Sequence, residues 1–123
     1  MQHYTYSFLL YLTITIITES IVIFLLLRKL FKIDKTKLKS STIIANTIFA
    51  SALTLPYVWY IFPYLISNFT LSIWISEILV LVVESIFYQI FLKIEVKKAF
   101  ILSLLANLVS YGLGQLLHYL FEN

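Results

Sequence analysis

The run LSIWISEILVLVVESIFYQIFL, residues 71–92, holds only two charged side chains, Glu77 and Glu84, and stops at Lys93. A helix needs about 20 consecutive, mainly apolar residues to cross the hydrocarbon of a bilayer, and this run supplies them. Lipid offers no partner to a backbone N–H or C=O, so a crossing segment closes its hydrogen bonds internally, as an α-helix does. Three similar runs accompany it, at about 4–27, 41–66 and 99–121. Together they make one transmembrane domain over residues 1–123, with 61% hydrophobic and 12% charged residues. A soluble domain carries about 25% charged residues. The fold class is therefore read as all-α, an integral membrane four-helix bundle.

The polar remainder is unevenly placed. All nine Lys and Arg residues fall in two connections, 28–39 and 93–98, whereas the turn at 67–70 carries no charge. The positive-inside rule makes both basic loops cytoplasmic and both chain ends external, an N-out/C-out arrangement. The net charge of +3 is then explained by loops beside membrane spans, and no water-facing basic surface is left for nucleic acid. Tyr57, Trp59, Tyr60, Tyr64 and Trp74 gather around the outer turn, where an interfacial aromatic belt is expected. The first run has no basic leader and no small-residue cleavage site before Arg28, so it reads as a retained span rather than a signal peptide. Asn68-Phe69-Thr70 matches the glycosylation sequon, but a tight turn against lipid makes it a poor acceptor.

Other chemistries find little support. The absence of cysteine excludes disulfides, thiolate metal sites and thiol nucleophiles. No Ser-His-Asp order, paired-histidine helix motif or glycine-rich phosphate loop is present, so neither an enzyme nor a cofactor is expected. His3, His118 and Glu122 lie near the outer ends of the first and last runs. They are too few and too terminal for a metal site to be expected there.

The two hairpins resemble one another. In the first, Thr18-Glu19-Ser20-Ile21 leads through a basic loop to Ala45-Asn46; in the second, Val83-Glu84-Ser85-Ile86 leads through one to Ala106-Asn107. Because each half contains two spans, a duplication would give parallel repeats about an axis along the membrane normal. Chance matching in a composition rich in Leu, Ile and Ser is the competing reading. Glu19 lies nine residues before Arg28, and Glu84 nine before Lys93. Both carboxyls are thus expected roughly 13 Å inside the cytoplasmic boundary, with Asn46 and Asn107 at a similar depth on the returning helices.

A carboxylate at that depth costs at least about 2.5 to 3.5 kcal/mol on insertion scales, so it should face the bundle interior, be neutral, or be paired. No span contains a Lys or Arg to pair with it. Burial beside a like charge favours the neutral form, so at least one of Glu19 and Glu84 is expected to hold a proton. Glu77, seven residues before Glu84, shares its helix face, and Tyr88 continues that face. Ser103, Asn107, Ser110, Gly114 and His118 recur at spacings of three and four on the last run; for the serines and the glycine, close helix packing is the simpler reading. Pro56 cannot donate to the Ala52 carbonyl, which predicts a helix kink and a free oxygen near Thr54.

Asn46, Thr54-Leu55-Pro56 and Trp59, followed by Glu77, Val80 and Glu84, resemble a pattern found in small four-span prokaryotic membrane proteins of no assigned activity. The match covers about half of the chain. This resemblance implies a multi-pass protein of the prokaryotic inner membrane and implies no function. Small multidrug exporters also have four spans and a first-helix glutamate, but this chain has only two glycines and a one-sided charge that opposes dual topology. Two functions remain in view. One is a proton- or cation-coupled transporter or channel using Glu19, Glu84, Asn46, Asn107 and Glu77. The other is a non-transporting accessory or assembly subunit of a larger membrane complex. A bundle this narrow is expected to form a homo-oligomer or to join a larger partner in either case.

Overall fold

The structure, a computed structural model, describes residues 2–122, and side-chain surroundings are described for residues 4–121. His3 and Glu122 of the weak metal reading therefore lie outside the described side chains. Helix α1, Gln2–Leu25, runs on into a π-helical turn, Leu26–Leu30. Helix α2, Ser40–Pro56, passes through a second π-helical turn, Tyr57–Ile61, into the short α3, Phe62–Leu65. Helices α4, Phe69–Phe91, and α5, Val96–Glu122, complete the chain. Four candidate spans, Tyr4–Leu30, Ser40–Leu65, Phe69–Phe91 and Val96–Phe121, are long and apolar enough to cross a membrane. The protein is thus an all-α, multi-pass integral membrane protein.

Short connections between antiparallel neighbours produce a ring of four spans. α1 packs on α2 and α5, and α4 packs on the same two helices, so α1 and α4 face each other across the bundle diagonal. Both basic loops lie at one end, and the turn at residues 66–68 lies at the other. Large apolar side chains such as Phe49, Trp74, Ile90 and Leu108 point outward, as they must when the surrounding solvent is lipid.

At the loop end the first helix extends beyond Arg28-Lys29, farther than a break at the first basic residue would place it. Arg28 explains the extension. Its guanidinium donates to Ile33 O at 3.0 Å, Leu38 O at 2.6 Å and Ser40 Oγ at 3.2 Å, fastening the loop to the next helix. The two hairpin turns are built alike, from Phe31-Lys32-Ile33-Asp34 and Leu92-Lys93-Ile94-Glu95. Lys32 and Lys93 adopt φ values of 53° and 55°, the left-handed position just past a helix end that usually falls to glycine.

At the turn end the Asn68 side chain accepts from Leu71 N–H at 3.1 Å and caps α4. The sequon residue is thus the start of a helix. The aromatic residues divide into two groups. Tyr57, Tyr64 and Trp74 are exposed, whereas Trp59 and the partly exposed Tyr60 pack against Tyr4 and Phe8, with ring centroids 5.1 to 5.7 Å apart. Pro63 sits in the first turn of α3 and cannot donate to the carbonyl four residues back, that of Trp59. The Tyr4 hydroxyl donates to that oxygen instead.

Candidate functional site

The bundle diagonal decides the site. Glu19 on α1 and Glu84 on α4 are each only 1% exposed, and residues within one turn of each other reach both of them, Ser51 and Thr54 on α2 and Asn107 and Ser110 on α5. Such a meeting requires that α1 and α4, which pack mainly on α2 and α5, turn interior faces toward each other across the diagonal. On α4 that face is a line of four-residue steps, Ser72, Ser76, Val80, Glu84 and Tyr88, all buried.

Neutral donors surround the pair. Glu19 accepts from Ser51 Oγ at 3.0 Å through Oε2 and from Ser110 Oγ at 3.2 Å through Oε1. Glu84 accepts from the Tyr88 hydroxyl at 3.0 Å and from Asn107 Nδ2 at 3.5 Å, both through Oε2. Thr54 Oγ1 lies 3.4 Å from Glu84 Oε1, while its hydrogen has a closer acceptor in Ala50 O at 2.8 Å. A hydroxyl has one proton to give, so the short backbone contact leaves the Thr54 oxygen able to accept. Asn107 is held in place by donating to Ser103 O at 2.7 Å, and Ser103 Oγ donates to Leu81 O at 2.9 Å. Residues from all four spans therefore contribute to one polar layer.

The structure brings Glu19, Glu84 and Asn107 together and leaves Asn46 and Glu77 apart. Asn46 is 6% exposed, yet neither atom of its carboxamide has a hydrogen-bond partner among the described residues. The layer meets α2 at Ser51 and Thr54, and Ser51 lies five residues, roughly 7.5 Å, beyond Asn46 toward the turn end. The depth count from the first basic residue misses this because the first helix continues to Leu30, which sets Glu19 deeper than Asn46. Measured from the left-handed lysines, Glu19 lies one helical turn farther from its hairpin turn than Glu84 does from its own. Glu77 is half-buried, at the edge of the α4 interior line, close enough for its charge to act on Glu19.

Pro56 closes α2, and the chain widens into the π turn directly after it. Ala52 and Pro56 border an outward-facing groove of about 330 Å³ with Leu53, Tyr57, Tyr60 and Ile61, on the lipid side of the helix. A second apolar crevice, of about 360 Å³, opens between the second span and α4, with Thr54 and Val80 among its lining residues. Packing and polar roles combine on α5. Gly114 lets the Tyr11 ring approach, since an added Cβ would stand 3.1 Å from Tyr11 Cε1, while Ser110 donates to Glu19.

Ser51, Ser72 and Ser76 are interior residues that the sequence reading passed over. The signal available for the α4 pair was the four-residue ladder leading to Glu84, and for Ser51 its spacing of three from Thr54. Among the described residues, no group of three or more His, Cys, Asp or Glu stands together as metal ligands. Compared with family models, curated proteins and solved structures, the chain finds no match.

Proposed function

We propose that this protein is a small proton- or cation-coupled transporter or channel whose working site is the Glu19–Glu84 pair. One observation carries the reading. Two carboxyls from diagonally opposed spans meet inside the bundle, and every hydrogen bond recorded to them comes from a hydroxyl or an amide. Two carboxyls this close can be joined by a hydrogen bond only when one of them carries a proton. A proton on Glu84 Oε1 would also find an acceptor in Thr54 Oγ1, whose own hydrogen is directed at Ala50 O. A small cation bridging the pair would replace that proton without any rearranged counter-ion. Glu77, at the edge of the interior, is the next carboxylate toward the turn end.

The same reading takes both basic loops as cytoplasmic and the chain ends as external, supported by the confinement of every Lys and Arg to one end of the bundle. It takes the hairpins as parallel repeats, supported by the matched left-handed lysines and by Asn46 and Asn107 following them at equal distances in sequence. Self-association would widen so narrow a bundle.

The test is ion flux in reconstituted vesicles. Glu19→Gln and Glu84→Gln, each with retained helical content, should abolish proton or cation flux. Undiminished flux in both variants would dismiss the site. No flux in any variant, with altered recovery of a membrane complex after mild detergent extraction, would point to the accessory-subunit role.

A further inference from the structure

The interior is asymmetric about the carboxyl pair. Most of the buried hydrophobic cluster lies between the pair and the basic loops, including Ile23, Leu27, Ile43, Tyr88, Leu92 and Leu102, while Ala50 and Ala106 stand level with the pair. Among the described residues on the turn side, only Phe8 and Val80 are buried and apolar, whereas Ser72 and Ser76 are buried hydroxyls. The loop half holds the apolar cluster, with Asn46, Thr47 and Ser103 as its buried polar residues, and the turn half holds buried hydroxyls without such a cluster.

Ser76 shows that this lining lacks a partner. A serine or threonine in a membrane helix ordinarily returns its hydrogen to the carbonyl one turn back. Thr13, Thr47, Thr54 and Ser85 all do so, at 2.7 to 2.9 Å. Ser76 does not: its Oγ is buried, 1% of the residue is exposed, and it has no partner among the described residues. An unpaired hydroxyl in a low-dielectric interior is costly, and a water molecule is the smallest group that supplies the missing bond. Ser76 stands eight residues, roughly 12 Å, from Glu84 toward the turn end. Tyr11 stands as far from Glu19, its ring against Trp59 and its hydroxyl on Gly114 O.

Above them is a closure with a weak point. Tyr4, Phe8 and Tyr11 of α1 meet Trp59 and Tyr60, and both of the latter ride on the π-helical turn that follows Pro56. Such turns often occur at functional positions, and the missing Pro56 N–H leaves this one with less backbone support.

We propose that the carboxyl pair exchanges water and its cation with the turn end alone. The route is the hydroxyl-lined passage past Ser72 and Ser76, closed by the aromatic lid and hinged at Pro56, while the apolar cluster seals the loop end. This rests on the transport reading and names its substrate class, a proton or small hydrated cation. Asn46, whose carboxamide is also unpartnered among the described residues, lies on the loop side of the pair between Ile43 and Ala50 and is not part of the passage.

The chain contains no cysteine, so single-cysteine variants report access directly. In vesicles, Ser76→Cys and Ser72→Cys are exposed to a small membrane-impermeant methanethiosulfonate from either side. Thr36→Cys in the basic loop and Ser67→Cys in the turn identify the sides, and Leu102→Cys reports on the seal. Ser76→Cys or Ser72→Cys should react only from the side that labels Ser67→Cys, and Leu102→Cys from neither. Adding Trp59→Ala should speed the reaction at position 76 at least about tenfold, equivalent to about 1.4 kcal/mol of lid stability. Tyr4→Phe, which removes one hydroxyl, should act in the same direction. Reaction from the loop side, reaction of Leu102→Cys alone, silence at both serine positions, or a rate unmoved by both lid variants would overturn the proposal. The labelling does not depend on flux, so the expected pattern in a protein without flux would keep the passage and dismiss transport.

Discussion

Tyr88→Phe removes one oxygen from a fully enclosed side chain and leaves its ring packing unchanged. What it deletes is the 3.0 Å bond to Glu84 Oε2. The oxygen left behind retains only Asn107 at 3.5 Å, and that amide is already committed to Ser103 O at 2.7 Å. If Glu84 is a neutral acid, the lost bond should cost about 0.5 to 1.5 kcal/mol; if it is a carboxylate, about 1.5 to 3 kcal/mol. Polar bonds between membrane helices average about 0.6 kcal/mol and reach about 1.7, which fits the lower range. The assay is reversible unfolding in mixed micelles, followed through Trp59 and Trp74 fluorescence. Repeating it in a Glu84→Gln background supplies the reference, because the amide oxygen can still accept from Tyr88 but cannot carry charge. Equal costs in the two backgrounds identify a neutral Glu84, and an excess of about 1 kcal/mol or more in the native background identifies a charged one. A cost below about 0.3 kcal/mol in both, far under the range for any buried hydrogen bond, would refute the bond and the polar layer built on it.

Two further predictions concern the scaffold. Gly114→Ala should destabilise by about 1 to 3 kcal/mol, because its Cβ meets Tyr11 Cε1 at 3.1 Å and that ring is held by Trp59. Gly112→Ala has nothing within 4 Å and should gain up to about 1 kcal/mol from helix propensity, so the same micelle unfolding assay should move the two variants in opposite directions. Arg28→Lys keeps the charge but loses the fork that reaches Ile33 O, Leu38 O and Ser40 Oγ together. Amides across 32–40 should exchange hydrogen faster by mass spectrometry while those of α4 are unchanged, and an unaltered loop would show that the fork does not organise it.

The spans were legible because the bilayer permits little else. A chain that must satisfy its backbone without water and present apolar side chains outward states both demands in its composition. Their ends were less legible: Arg28 reads as the first residue outside the membrane, yet its guanidinium folds back onto loop carbonyls and lets the helix continue. The pairing of Glu19 with Glu84 could be anticipated because a carboxyl in a span has few tolerable neighbours. Their hydroxyl partners could not, because Ser and Thr are tolerated on any face. Glu77 illustrates the difficulty. Seven residues separate it from Glu84, so a helical wheel places the two side by side. The interior line of α4 advances by fours, however, and drifts by about 40° per step on a helix of 3.6 residues per turn. By the level of Ser76 the interior direction has swung about 80° away from that of Glu84, which leaves Glu77 at the border. The helix crossing sets that drift, and it is a property of all four helices together.

The same reasoning explains why the pair is surrounded by neutral donors. A lysine or arginine beside Glu19 or Glu84 would hold the carboxylate ionised, and removing its charge by protonation would then strand a cation in a low-dielectric interior at a cost of several kcal/mol. Ser51, Ser110, Tyr88 and Asn107 are dipoles without net charge and can turn toward either state of the pair. Thr54 can even exchange the role of donor for that of acceptor, since its hydrogen already has Ala50 O within 2.8 Å. A site built this way binds less tightly than an ion pair, but it can be loaded and emptied without moving a counter-charge. For the transport role proposed for the carboxyl pair, that reversibility is the property that the spans' lack of Lys and Arg preserves.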